Sequence, residues 1–391
     1  MKKHKVCMLL DNPLSPDPRV EKEAKTLADA GYDVTIYCQK DDRVPDFEKK
    51  DGYTVHRTFK YKLGTTVKML KYIQAHHDLW QSIDEKYDIY HCHDVETWPT
   101  GYFLAKRDGA TLLYDCHEYF PDMIVRGNYQ SVFKYYASKV LFYLRGSLFI
   151  RKANRIITVN NLVAKELEKD FQLSHTPVFL YNTRYKSDIP LETSNYIRDN
   201  YGISDNETIL YFHGNLDPSR GIEEIFKITS KLKDVRLVIA GRGSELYLEK
   251  LKYLMKEMKI EHKVLFIGFI ESNRLLNVAA SADILLYFPV EVVKNLTLTT
   301  PNKFFDYLFS GKPMVITGLP GIAEFMEKND LGILISRGMR DTDYIAAQIN
   351  KLIADKELYI KLVKEYQIAR EKACWENEAT KLLKLYNEFC N

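Results

Sequence analysis

The sequence predicts an α/β protein made of two consecutive doubly wound units, each a parallel sheet covered by helices on both faces. Three observations carry this. Short, nearly continuous apolar strands alternate with helical stretches whose apolar residues recur three and four apart. The alternation stops around 182–194, where Asp188, Pro190 and Glu192 interrupt it, and then restarts. A chain of 391 residues accommodates two such units, since domains usually run to roughly 100–200 residues.

In the first unit strands are predicted at 5–10, 34–38, 88–92, 111–115, 155–159 and 177–181. Helices are predicted at 19–30, 66–85, 97–107, 131–153 and 161–171. The basic start Lys2-Lys3-His4-Lys5 ahead of Val6-Cys7-Met8-Leu9-Leu10 mimics a leader peptide. The run ends at Asp11 with no small-residue cleavage site, so it reads as the first strand. The second unit repeats the scheme with strands at 207–212, 235–240, 263–267, 283–287, 313–317 and 331–335. Its helices are predicted at 220–232, 243–258, 271–280, 302–310, 321–328 and 341–354, and the chain ends in helix over 356–387. With no strand left to cover, that last stretch suits a helix crossing back to the first unit. The expected division is 1–185, 186–369 and a terminal helix in 370–391.

Composition excludes several classes. At 46% hydrophobic and 28% charged the chain is neither disordered nor collagen-like, and a net charge of +3 is too small for a nucleic-acid binder. No stretch reaches the roughly 20 apolar residues of a spanning helix. Six cysteines without paired spacing read as reduced thiols of a cytoplasmic protein. The positive excess lies in the first half, where residues 1–182 hold 27 Lys and Arg against 24 Asp and Glu. Two stretches, 52–77 and 123–165, contain no acid at all. The second interleaves bases such as Lys134, Lys139 and Arg145 with Phe133, Tyr136 and Tyr143. Such a pattern predicts peripheral contact of the first unit with an anionic membrane face. A core-facing helix with solvated lysines is the plain alternative.

Ligands of parallel sheets gather at the carboxyl ends of the strands. The loop 11–20 holds three prolines, with Asp17 placed to cap a helix and Pro18 at its first position. Arg19 in that first turn opposes the helix dipole, so it either meets an anion or belongs to a stiff connector. Cys116-His117-Glu118 follows another strand, and His117 there is either a proton carrier or a loop histidine bonded to a carbonyl. His91 and His93 face the same way on a strand, but a third ligand at useful spacing is missing, so no metal is predicted. Gly241-Arg242-Gly243 is half of a dinucleotide fingerprint. Gly214 and Asn215 after a strand, with Arg220 beside the next helix, make one phosphate pocket. Pro301-Asn302-Lys303 makes a second, from free helix amides and a lysine. Asp306, one turn on, is placed to accept sugar hydroxyls. The alternative for Lys303 and Asp306 is a solvated helical face.

These motifs in this order resemble family 4 retaining glycosyltransferases. The similarity runs through Asp17-Pro18-Arg19-Val20 with Glu23-Ala24, Tyr114-Asp115-Cys116-His117-Glu118, His213-Gly214-Asn215 with Arg220-Gly221, and Pro301-Asn302-Lys303-Phe304-Phe305-Asp306-Tyr307 with Gly311-Lys312-Pro313. The resemblance implies the GT-B architecture, two Rossmann-like domains facing across a cleft. Acceptor binding falls mostly to the first domain and nucleotide-sugar binding to the second. It implies retention of anomeric configuration without metal or other cofactor. Arg220 and Lys303 then neutralise the leaving diphosphate, and His117 faces the transferred sugar. Donor contacts fall to Gly214, Asn215, Arg220, Gly241, Arg242, Asn302, Lys303 and Asp306, and the acceptor side to Arg19, His117 and Glu118. The family's pair of glutamates eight apart is altered, with Leu298 for the first and Asp306 for the second. Asn215 stands where many members have arginine. The expected activity is hexosyl or N-acetylhexosaminyl transfer from a UDP- rather than a GDP-sugar to a glycan, lipid-linked or other envelope acceptor. The expected location is cytoplasmic, at the inner membrane face. The rivals are a non-catalytic binding subunit of the same fold, favoured by Leu298, and a sugar-nucleotide epimerase.

Overall fold

The structure is a computed structural model and describes residues 3–60, 69–122, 132–190, 195–290, 294–329, 331–336, 338–339 and 341–390. The chain divides into one unit of Met1–Tyr181, Val293–Asn295 and Asn377–Asn391, and another of Asn182–Val292 and Leu296–Glu376. These boundaries differ by a few residues from the expected ones, for a local reason. The Tyr181 N–H donates to Glu378 within the first unit, while the Trp375 N–H donates to the Arg184 carbonyl within the second.

The first sheet contains β1 (Lys5–Leu9), β2 (Asp33–Gln39), β3 (Phe47–Lys49), β4 (Tyr53–Phe59), β5 (Ile89–His93), β6 (Thr111–Cys116), β7 (Arg155–Thr158) and β8 (Val178–Phe179). Their order is β3-β4-β2-β1-β5-β6-β7-β8, and β3–β4 is an antiparallel pair in an otherwise parallel sheet. The sequence reading lacked β3 and β4. Arg57 breaks the apolar pattern of β4, yet it is buried, donating to the carbonyls of Pro13 and Pro45 and to Glu48. One base of the acid-free stretch 52–77 is therefore internal, held by fixed acceptors.

Above the sheet, the helix Pro18–Asp29 starts as expected, with Asp17 accepting the Val20 N–H. Trp98 of the helix Asp94–Asp108 stacks flat on Tyr114, centroids 4.5 Å apart. The terminal helix predicted over 356–387 is two helices, Lys356–Lys372 and Trp375–Cys390. They serve different cores. The hydroxyl of Tyr366 in the first accepts the Met314 N–H of the second sheet at 3.1 Å. Leu382, Leu385 and Tyr386 of the second pack with Val6, Met8, Leu27 and Val34 of the first unit.

The second sheet contains β9 (Thr208–His213), β10 (Val235–Ala240), β11 (Val264–Gly268), β12 (Ile284–Tyr287), β13 (Met314–Thr317) and β14 (Ile333–Ile335), in the order β11-β10-β9-β12-β13-β14. Its pairings are parallel. In each sheet the winding reverses beside the first strand, between β1 and β5 and between β9 and β12. Loops diverge at those reversals, and ligands of such sheets bind there.

Candidate active site

In the second unit the loops after β9 and β10 are strapped together. The Gly214 N–H donates to the Ala240 carbonyl and the Leu216 N–H to that of Arg242. Gly241 has φ +149°, and a Cβ there would meet the Gly214 carbonyl oxygen at 1.9 Å, so only glycine fits. The turn Pro218–Arg220 is capped by Asp217, which also accepts Arg220 Nε at 3.0 Å. Burial would lower the Arg220 pKa, but Tyr287 and Asp217 raise it.

Lys303 is the second residue of the helix Asn302–Ser310, whose N-cap Pro301 supplies no side-chain cap. Its stem is half-buried, but its Nζ is sealed and makes no hydrogen bond among the described residues. The ammonium lies 3.7 Å from the centroid of Phe212 and 4.5 Å from that of Tyr287. Burial first, and the charge of Arg220 second, push its pKa well below the usual lysine value. A Cβ at position 214 would lie 3.0 Å from Lys303 Nζ. Gly214, Arg220 and Lys303, which the residues alone assigned to two pockets and the resemblance to one diphosphate, are therefore brought together. An anion beside Nζ would restore the ammonium, which is the chemistry of a phosphate site.

Other second-unit expectations change. Asp306 is buried, and its Oδ1 accepts both Nε and an Nη of Arg184 at 2.8 and 2.6 Å. Its Oδ2 lies 3.2 Å from His213 Nε2. Burial would raise the Asp306 pKa, but His213 and Arg184 lower it. Its carboxylate is committed inside the protein rather than presented to sugar hydroxyls. Asn302 accepts from Asn182, and Leu298 is buried, so neither supplies the missing acid. Asn215 and Arg242 are exposed, with the Arg242 guanidinium 4.1 Å above the Phe269 ring.

In the first unit the residues around β5 and β6 form a buried ionic network. Arg19 is no open acceptor-side arginine. Its Nε and Nη2 donate to the two oxygens of Asp115 at 2.9 Å each, Nη1 donates to the Leu180 carbonyl, and Glu23 lies 3.1 Å away. The anion it meets is internal. His117 Nε2 is 3.0 Å from Asp115 and its Nδ1 3.4 Å from Asp94, whose other oxygen accepts the His117 N–H. Burial would lower the His117 pKa, but Asp94 and Asp115 raise it to about 10. Both ring nitrogens are thus turned on carboxylates, and what His117 offers outward is a fixed cation. Glu118 accepts from Asn295.

The spacing argument against a metal needs correction. Glu23, His91, His93 and Asp115 offer ligand atoms within 4.8 Å of one another. The helix Pro18–Asp29 and β6 supply the donors that local spacing could not reveal. Arg19 nevertheless occupies both Asp115 oxygens, and burial together with Asp115 pushes Glu23 up to about 8. A metal ion would have to displace one cation and face another, His117. The sequence reading also missed Tyr386, whose hydroxyl lies 2.9 Å from His91 Nδ1.

One outcome follows from His117. Its folded pKa lies above the ordinary imidazole value of about 6.5, so its contribution to stability is full below that value. The contribution is lost as pH rises through about 10. Imidazole nitrogen NMR should show the ring charged throughout the neutral range; a midpoint at the ordinary value would overturn this arrangement.

Known proteins share both units. Glycosyltransferase Family 4 matches residues 19–182, and Glycosyl transferases group 1 matches residues 194–368. An uncharacterised glycosyltransferase of Methanocaldococcus jannaschii is 25% identical over 383 residues, covering 93% of this chain and 91% of its own length. Lipopolysaccharide 1,2-N-acetylglucosaminetransferase of Salmonella typhimurium is 23% identical over 47% of this chain and 49% of its own. Among solved structures, sucrose-phosphate synthase from Thermosynechococcus elongatus superposes with a TM-score of 0.77 at 16% identity over 99% of both chains. Anabaena HepE in complex with UDP and glucose does so at 0.72 and 15%, over 98% of this chain and all of its own. Both strand orders thus belong to a GT-B frame, and the chain belongs to the family 4, group 1 glycosyltransferases.

Proposed function

We propose that this glycosyltransferase retains anomeric configuration, needs no metal, and moves a hexosyl or N-acetylhexosaminyl unit from a UDP-sugar to a glycan or lipid-linked envelope acceptor. The observation that carries the reading is Lys303: a sealed amine with no hydrogen-bond acceptor among the described residues, beside Arg220 and Gly214. UDP is favoured because the HepE structure of the same fold holds UDP. An N-acetylglucosamine transferase among the relatives supports an envelope acceptor.

Charge development assigns the roles. As the bond from the anomeric carbon to the phosphate oxygen breaks, negative charge grows on the diphosphate. Lys303, Arg220 and the first-turn amides of Asn302–Ser310 stabilise it. The acceptor hydroxyl attacks the face the diphosphate leaves, and its proton passes to the departing phosphate oxygen. No protein nucleophile is required. Asp306, held by Arg184 and His213, is a positioning residue for the helix that carries Lys303. His117 supplies fixed positive charge on the acceptor domain.

A hydrolysis screen of UDP- and GDP-sugars tests this, because slow donor hydrolysis needs no acceptor. Release of UDP from a UDP-sugar, unchanged by EDTA, is expected. Turnover lost in EDTA and restored by magnesium or manganese would sink the metal-free mechanism. No hydrolysis and no UDP binding would favour the non-catalytic reading that Leu298 suggests.

A further inference from the structure

The helix Val132–Ile150 has an unusual outer face. Its inner side is settled by close packing. Phe142 and Ile150 are buried, and a Cβ at Gly146 would lie 2.1 Å from the Phe120 ring, so the helix sits against Phe120 at glycine distance. The residues opposite are Phe133, Tyr136, Val140, Leu144 and Leu148, spaced three or four apart along one stripe. They are 81%, 60%, 54%, 49% and 66% exposed, with Leu141 beside them at 56%. A surface helix normally turns charged and polar residues to water, and a contiguous exposed apolar patch marks an interaction site.

The apolar surface continues onto the neighbouring helices. Exposed Phe103 of Asp94–Asp108 lies 6.4 Å from Phe149, and Tyr72 of Met69–Gln81 lies under the Arg145 guanidinium. Exposed Ile73 then borders a cavity of about 490 Å³ lined by Tyr72, Ile73, His76, Trp80, Pro99 and Phe103.

We propose that the outer stripe of Val132–Ile150, with Phe103 and Ile73 beside it, seats in the interfacial layer of an anionic bilayer. Charge selects that occupant. Residues 123–165 contain eight Lys and Arg and no acid; Lys139, Arg145 and Arg155 pair with acids from outside the stretch, and the exposed bases that remain suit an anionic headgroup layer. Arg151 and Lys152 are exposed just beyond the helix's end. Phe133 and Tyr136 of the stripe, with exposed Tyr143 beside it, suit the depth where headgroups meet acyl chains. The helix lies in the plane, since none of the described helices is long and apolar enough to cross.

The contact differs from the one the sequence predicts. Arg145 is tucked between Phe142, Tyr72 and Glu96, and Lys139 pairs with Asp122. The side chain of Lys134 lies outside the described residues. Apolar side chains therefore make the contact, with Arg151 and Lys152 at one end of the stripe. This surface is independent of the donor site and stands or falls apart from the transfer reaction.

Vesicle flotation tests it with the full chain, using phosphatidylcholine vesicles with and without phosphatidylglycerol at low and high salt. Wild-type protein should float with the anionic vesicles, less so at high salt. The triple variant Phe133→Ser, Leu144→Ser, Leu148→Ser should bind at least about tenfold more weakly, from the loss of exposed apolar area. All three sites are exposed, so its thermal unfolding and UDP binding should match wild type as a check on folding. Equal, negligible binding to both vesicle types overturns the proposal, as does a folded triple variant that binds like wild type. A wild-type dimer that the triple variant converts to monomer, without flotation of either, also overturns it and assigns the stripe to self-association.

Discussion

Lys303→Met should lower kcat/KM for the UDP-sugar by about thirtyfold to several-thousandfold, from about 2–5 kcal/mol of lost charge stabilisation. Methionine keeps the stem and suits the ring-lined site of Phe212 and Tyr287, so folding should not suffer. Removing a sealed ammonium also relieves the desolvation that depresses its pKa, so thermal stability should hold or rise. Gain in stability with loss of activity is the pattern of a group kept for function at a structural cost. Calorimetry adds a second readout. Because the free lysine's pKa is depressed and an adjacent diphosphate would raise it, UDP binding should take up a proton between the free and the bound pKa and weaken as pH rises through that interval. Titrations in buffers of different ionisation enthalpy measure that uptake, and Lys303→Met should abolish it. A variant with wild-type turnover and unchanged proton uptake would show that the phosphate pocket lies elsewhere.

The second large effect concerns stability. Asp115→Ala should destabilise the fold by about 3–5 kcal/mol, the usual result of removing one partner from a buried ionic group. Buried Arg19 would lose its bidentate carboxylate, and half-buried His117 would keep only Asp94. Burial would raise the Asp115 pKa, but Arg19 and His117 hold it well below the usual carboxylate value. Its contribution is therefore present above about pH 3.9, the unfolded value, and is lost as pH falls through the folded one. Denaturant unfolding at neutral pH should show the full difference between the proteins, and acidification should shrink it. An unchanged midpoint at neutral pH would mean that Arg19 and His117 do not depend on Asp115.

The terminal helix adds a test of reach within the first unit. Tyr386 touches His91, whose ring lies 4.3 Å from that of His93 at a 30° tilt, and His93 in turn lies 3.2 Å from His117. The network thus joins residues from five separate stretches of chain, and none of them is adjacent to all the others in sequence.

That separation explains which features could be read from the sequence. Strands and helices follow from local periodicity, because each element's apolar residues must face one way whatever they later pack against. The candidate phosphate-binding residues stood out singly for the same reason. Arg220 directly follows β9 and its loop, and Lys303 sits in the first turn of a helix, so their positions depend on nearby backbone. What needed the tertiary structure is every pairing between distant segments: Arg19 with Asp115, Arg184 with Asp306, Tyr386 with His91. Arg57 hid β4 because a charged residue looks solvent-bound until its carbonyl partners are known. The stripe on Val132–Ile150 was hidden in the opposite sense. Apolar residues around a helix look like core, and only packing against Phe120 decides which of them face outward. Local backbone preference is written in neighbouring residues, whereas the state of a charge or an apolar face is set by whichever remote groups the fold brings to it.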